Sequence, residues 1–346
     1  MKEKGFEGKN YLNLVYKLNE EKGIKIFGYE FVKNNKNKCH LIIEGKKKII
    51  DSEYIDIYDY QREKGEISFK LVEDENETIT DMSHMFENCD LLERVDYGSS
   101  WDCKNVLLCQ RMFYGCTSVK FIYYIFNFIS LEETNFNSLF FDCKSLRSLI
   151  ITDWNTKNVT DFSHFVQNCS SLEYLGDGHN FVTSKAVDMS DMFNGCTKLN
   201  CIELMNEWDV SNVTNMDRMF YDCKSLINPP SIDQWNPRNL ISVKGLFCNC
   251  SALKYPPKIC YWKTYKLTDM SFMFKDCHSL TEGPDMSNWD VSNVENMYKM
   301  FENCSSMDYF PDVSRWKLKK NLQKEDAFKG CKSKIIPRKL GKCVIF

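Results

Sequence analysis

The sequence predicts an α/β solenoid of about ten coils, and three regularities carry that prediction. Ten cysteines, Cys89, Cys116, Cys143, Cys169, Cys196, Cys223, Cys250, Cys277, Cys304 and Cys331, recur every 27 residues with one interval of 26. Every tryptophan in the chain, Trp101, Trp154, Trp208, Trp235, Trp262, Trp289 and Trp316, stands 15 residues before one of these cysteines, and Phe128 and Phe181 fill the two gaps. Finally, "WDVSNVTNMDRMFYDC" at 208–223 returns almost verbatim as "WDVSNVENMYKMFENC" at 289–304. A fixed period of a few tens of residues marks an array whose units bury their apolar faces only against neighbours.

Residues 1–76 lack this beat and read as a β-rich N-terminal cap or small domain. "IKIFGYEFV", "KCHLIIEG", "KKKIID" and "EISFKLV" have the composition of short strands, and Glu44-Gly45 suits a hairpin turn. From residue 77 each unit contains an apolar stripe such as Met216, Met219, Phe220 and Cys223, the i, i+3, i+4, i+7 spacing of an α-helix. Asp81, Asp188, Asn215, Ser242, Asp269 and Asn296 precede such stripes and read as helix N-caps. An apolar residue, usually leucine (Leu92, Leu146, Leu172, Leu199, Leu226, Leu280), follows three residues past the cysteine and opens a short extended segment. Prolines at 229–230, 256–257, 284 and 311 fall in those segments, so the strands there are short or begin late. One helix and one strand per unit is what a leucine-rich-repeat-like right-handed solenoid requires. Parallel strands about 4.8 Å apart would make such a stack roughly 45–50 Å long.

The units "MFYDCKSL", "MFKDCHSL" and "AFKGCKSK" resemble the BspA-like leucine-rich repeats, and "WDVSNVTNMDRMF" is similar to their variant known as the domain-of-unknown-function 285 repeat. The resemblance runs over residues 77–336. It implies a β-α solenoid that works as a binding surface, often on cell-surface proteins, and it implies no catalytic residue.

Residues 337–346 form a basic tail ending in "KLGKCVIF". Cys343, two aliphatic residues and a terminal Phe fit a C-a-a-X prenylation signal. From Trp316 onward the chain carries ten Lys/Arg and two Asp/Glu, a net of +8, against −11 for residues 1–315. A basic segment beside a lipid is the second signal that stable anchoring needs. A competing reading is structural: Cys343 lies 27 residues after Trp316, so it also fits the first ladder position of an incomplete eleventh unit.

Seventeen cysteines invite disulfide or metal readings, but no secretory signal opens the chain, and reduced thiols packed as small apolar groups fit better. Only Cys248 and Cys250 are near neighbours in sequence, at the wrong spacing for zinc. The five histidines (His40, His84, His164, His179, His278) do not cluster. Glycosylation sequons at Asn158, Asn168, Asn212, Asn249 and Asn303 follow from the repeat consensus. No Gly-rich phosphate loop, nucleophile elbow or zinc-protease motif is present, and the acidic balance of residues 1–315 disfavours nucleic acid. The expectation is a non-enzymatic protein-interaction scaffold without cofactor. Its partners would be proteins, and the tail would hold it to the anionic cytoplasmic face of a membrane through Cys343. The alternatives are a BspA-like surface adhesin exported without a conventional signal, and a soluble scaffold whose C-terminus caps the solenoid.

Overall fold

The computed structural model describes residues 10–18, 23–58, 65–95, 101–122, 134–151, 154–176, 181–202 and 205–332. Phe128, His179, Cys343 and the basic tail lie outside the described residues.

The N-terminal region is mainly antiparallel β-structure. In chain order it contains β1 (Tyr11–Lys17), β2 (Gly23–Lys25), helix α1 (Tyr29–Asn35), β3 (Cys39–Ile43), β4 (Lys46–Ile49), β5 (Tyr54–Asp56) and β6 (Glu66–Glu73). Strands β3 and β4 are joined through Glu44 and Gly45, both at positive φ (47° and 77°), as a tight two-residue hairpin requires. Two sequence expectations fail here. "IKIFGYEFV" is strand only at its start, because Phe27 packs on Phe31 at helical i, i+4 spacing (5.3 Å) and Phe31, Val32 and Asn35 turn inward. Strand β1 was missed, although Leu12, Leu14 and Tyr16 alternate inward and are fully buried.

Strand β1 is the seam of the molecule. It pairs antiparallel with β6 on one side and with β7 (Leu92–Val95), the first strand of the repeat region, on the other. From β7 the same sheet continues in parallel through β8 (Phe121–Ile122), skips β9 (Thr134–Asn135), and takes in β10 (Ser148–Ile150). It then skips β11 (Val159–Asp161) and ends with β12 (Tyr174–Gly176) and β13 (Cys201–Ile202), nine strands in all. The N-terminal region also stands in for a preceding unit: Phe27 stacks on Phe86 (5.9 Å), the Gly28 N–H donates to the Met85 carbonyl (2.9 Å), and the Asn35 amide donates to the Asp81 carbonyl (2.8 Å). Gly28 is required at this contact, since a Cβ would lie 2.0 Å from the His84 carbonyl oxygen.

The repeat region is a repeat fold with little helix, and the helical half of the expected β-α coil is corrected to paired turns. In the unit ending at Cys223, Met219, Tyr221 and Cys223 donate N–H bonds back three residues, to Met216, Arg218 and Phe220. The intervening Met216, Arg218, Phe220 and Asp222 donate instead to Ser242, Lys244, Leu246 and Cys248 of the next unit. An α-helix would send each of these N–H groups back four residues. It is prevented by two left-handed residues per unit, Arg218 (φ 52°) and Asp222 (φ 62°) here, five and one before the cysteine. The same two positions are left-handed in all ten units. Two consecutive four-residue turns bury the same i, i+3, i+4, i+7 set as a helix, which is why the apolar spacing misleads.

The expected N-caps do accept the local bond of a cap but start no helix. Asp188 Oδ1 takes the Ser190 N–H (2.7 Å), Asn215 Oδ1 the Asp217 N–H (3.0 Å) and Asp269 Oδ1 the Ser271 N–H (2.8 Å). Their backbones form a ladder of single parallel bridges from Asp161 through Asp188, Asn215, Ser242, Asp269 and Asn296 to Gln323. Each unit is therefore stitched to the next by this ladder and by the turn bonds. Through β13 the parallel sheet adds a third connection.

Candidate functional site

The residues with most chemical potential are spent on the interior. Cys116 Sγ donates to the Phe86 carbonyl (3.1 Å), Cys143 to Phe113 (3.1 Å), Cys169 to Phe140 (3.1 Å), Cys196 to Val166 (3.1 Å) and Cys223 to Phe193 (3.3 Å). Cys250, Cys277, Cys304 and Cys331 repeat this on Phe220, Phe247, Phe274 and Phe301. Each such Phe or Val carbonyl already accepts the N–H of its own unit's cysteine, so the thiol fills its second lone pair. All sixteen described cysteines are free, and the nine register cysteines from Cys89 to Cys304 are fully buried. Burial pushes their thiols well above the usual range, which removes the thiolate a nucleophile or metal ligand requires.

The aromatic residues form two columns. Phe193, Phe220, Phe247, Phe274, Phe301 and Phe328 stack at 5.1–5.5 Å, and Trp208, Trp235, Trp262 and Trp289 at 6.0–6.3 Å. The indole N–H of Trp235 reaches the Met205 carbonyl (2.8 Å), that of Trp289 the Ile259 carbonyl (2.9 Å) and that of Trp316 the Met286 carbonyl (3.1 Å). The equivalent atom of Trp262 is buried without a partner. Trp101, Trp154 and Phe181 are buried as well.

The remaining polar candidates are held apart. Among the described residues no three His, Cys, Asp or Glu side chains converge as a metal site. His40 binds Asp74 (2.7 Å), His84 binds Glu87 (2.8 Å), and His164 and His278 meet Gln167 and the Asn303 carbonyl. Sequon amides serve ladders: Asn212 donates to the Ser184 carbonyl (2.8 Å), Asn249 to Asp222 and Asn303 to Asp276 (2.7 Å). No helix among the described residues is long and apolar enough to cross a membrane.

What varies lies outside. Five residues past each register cysteine from Cys89 to Cys304 the side chain is partly or fully exposed, and strand pairing or bridging sets neighbours in register: Arg94 beside Phe121, then Ser148, Tyr174 and Cys201, and further along Glu282 beside Tyr309. No two neighbours in this row share a residue type, whereas three residues past the cysteine Leu92, Val119, Leu146, Leu172, Leu199 and Leu226 are uniformly apolar and buried. Sequence reasoning expects the working surface on the exposed face, where non-ladder positions vary between units, but names no residues; strand pairing shows which of them line up in one row.

Between β13 and Glu282 the sheet is interrupted. Pro229-Pro230 and Pro256-Pro257 occupy the strand positions of their units, and proline has no N–H to give a ladder. A groove of about 1060 Å³ opens there. Its apolar lining comes from Trp235, Pro256, Pro257, Ile259 and two outward tyrosines, Tyr255 (48% exposed) and Tyr261 (73% exposed). Asp233, Glu282 and Asp285 line it with Lys258 and Lys263, and none of these five forms an ion pair with a described residue.

The family model described as "Mycoplasma protein of unknown function, DUF285" matches residues 73–132, 134–256 and 227–337. Among solved structures, the chain is similar to a leucine-rich repeat protein of T. pallidum (18% identity over 62% of this chain and 78% of that one, TM-score 0.32). It is also similar to a leucine-rich repeat protein from Bacteroides ovatus (20% identity, 72% and 73%, TM-score 0.27). A third is a leucine rich cell surface protein from Faecalibacterium prausnitzii (14% identity, 69% and 76%, TM-score 0.26). No curated protein matches. The family match spans the paired-turn units from end to end, and the chain belongs to the DUF285 family.

Proposed function

We propose that the chain is a ten-unit solenoid acting as a non-enzymatic protein-interaction scaffold, whose working surface is the outward row of the strand side together with the adjoining groove. One observation carries the reading. Interior positions repeat from unit to unit as thiol, phenyl and indole columns, while the row from Arg94 and Phe121 to Glu282 and Tyr309 changes at every step. A surface that only needed solubility would be served by any polar residue, yet this row presents Phe121, Tyr174, Tyr255 and Tyr309. Aromatic side chains are the residue type that dominates binding hot spots.

The test is site-specific photo-crosslinking in the protein's own cells. A crosslinking residue replacing Phe121, Tyr174 or Tyr309 should trap one discrete partner. Val187 and Ile241, which are exposed on the other ladder, are the comparison positions. Equal trapping at Val187 and Ile241, or trapping there alone, overturns the assignment of the surface.

A further inference from the structure

The groove beside the interrupted sheet combines three features that individually are ordinary and together specify a ligand. Its lining is rigid, because Pro256 and Pro257 have fixed φ and Trp235 is buried and stacked between Trp208 and Trp262. Its rim is aromatic, with Tyr255 and Tyr261 half to three-quarters exposed. Its charges make no ion pair with a described residue: Asp233, Glu282 and Asp285 line it with Lys258 and Lys263, Asp233 accepting the Gln234 amide (3.0 Å) and Asp285 the Ser287 N–H (3.0 Å), in a chain whose other carboxylates commonly find a cation.

A small enclosed ligand does not suit an open trough of this size. A polyanion is disfavoured by the excess of carboxylates over lysines. A polypeptide fits both: its carbonyls can accept from the lysines, and a basic side chain can meet the carboxylates. Exposed tyrosine faces beside proline favour one backbone form in particular, the polyproline II helix. That form needs no internal hydrogen bonds, costs little entropy to bind and docks on aromatic-lined grooves. We propose that this groove binds an extended, proline-containing peptide segment carrying a basic side chain. The inference rests on the scaffold reading above and narrows it to one partner chemistry.

The experiment titrates the full chain, by isothermal calorimetry, with a synthetic peptide of Pro-Pro-Arg repeats. Parallel titrations use the same peptide with glycine for proline, one with glutamate for arginine, and a neutral oligosaccharide of similar length. The Pro-Pro-Arg peptide should bind saturably, with at least about tenfold preference over both altered peptides. Tyr261→Ala, an exposed substitution that leaves the core intact, should weaken it at least about tenfold, and Asp285→Asn should selectively erode the preference over the glutamate peptide. Absence of binding, equal binding of the glycine peptide, an unaffected Tyr261→Ala variant, or preferential binding of the oligosaccharide would each overturn the proposal. Such a failure together with specific trapping at Phe121 or Tyr309 would leave the scaffold reading standing. Loss of both would remove it as well.

Discussion

The tryptophan column offers a comparison in which two nearly identical substitutions should behave differently. Trp235 and Trp262 occupy equivalent positions, are both buried, and stack on both neighbours. They differ at one atom: Trp235 Nε1 donates to the Met205 carbonyl at 2.8 Å, while Trp262 Nε1 is buried without a partner. Replacing either by phenylalanine keeps an aromatic ring in the stack and removes similar volume, so the packing loss is common to both. Trp235→Phe additionally forfeits one hydrogen bond, about 1 kcal/mol. The Met205 carbonyl is not orphaned, since it also accepts the Trp208 N–H (3.2 Å). Trp262→Phe instead removes an unsatisfied buried donor, which costs the native fold about 1–3 kcal/mol. The two variants should therefore differ by about 2–4 kcal/mol, with Trp262→Phe the more stable. Urea unfolding followed by intrinsic fluorescence measures this, and Trp235→Ala, at about 3–5 kcal/mol, sets the scale for losing the ring altogether. Phenylalanine variants equal within about 0.5 kcal/mol would refute the role given to the indole bond.

Three further outcomes follow from the same geometry. Gly195→Ala should destabilise by about 1–2 kcal/mol or more, because Gly195 sits at φ 75° and a Cβ would lie 2.5 Å from Asn168 Oδ1; denaturant midpoints read it. Among the described cysteines, mild iodoacetamide treatment of native protein should label the exposed Cys201 first and the half-buried Cys260 and Cys331 next, with the register cysteines from Cys89 to Cys304 reacting only on unfolding; peptide mass spectrometry distinguishes these, and early labelling of Cys223 or Cys250 would contradict their burial. On acidification, burial works against ionisation of Glu87, Asp276 and Glu302, but hydrogen bonds from Arg111 and His84, from Asn303 and Lys275, and from Lys275 and Lys299 outweigh it and hold all three below the ordinary range. Carboxyls depressed in the fold contribute stability above their unfolded value of about 4 and lose it as pH falls through the folded value. Stability should thus hold from neutrality to about pH 5 and decline below, with Asp217, raised by burial, opposing in part. A urea midpoint that rises on acidification would contradict the sign.

The repeat, its family and its buried positions were legible because ladders impose identity: a cysteine whose thiol must reach the carbonyl of the preceding unit's Phe, or Val166, leaves a mark at every 27th residue. The helix was misread because apolar spacing records which residues face inward, not how the backbone brings them there. A stronger signal stood beside it. The residue before each register cysteine is Asn88, Gly115, Asp142, Asn168, Gly195, Asp222, Asn249, Asp276, Asn303 and Gly330, and all ten are of the types that tolerate a left-handed backbone. No helix interior would select that set. Strand β1 was missed because its two-sided pairing, with β6 and β7, depends on segments about fifty to eighty residues away. The groove was less legible still: Pro229-Pro230 and Pro256-Pro257 were seen to shorten strands, but which side chains close around the gap is set by stacking between units.

Each unit turns on two left-handed residues, and among the described residues of the repeat region no α-helix forms, only the three-residue 3-10 turn Met205–Glu207. Far-ultraviolet circular dichroism of the purified chain tests it most directly. The structure places one seven-residue helix, Tyr29–Asn35, among the described residues, so the spectrum should be dominated by β and turn contributions with only a weak helical component. A deep double minimum of the α-helical kind, of the size one helix per unit would produce, would contradict it.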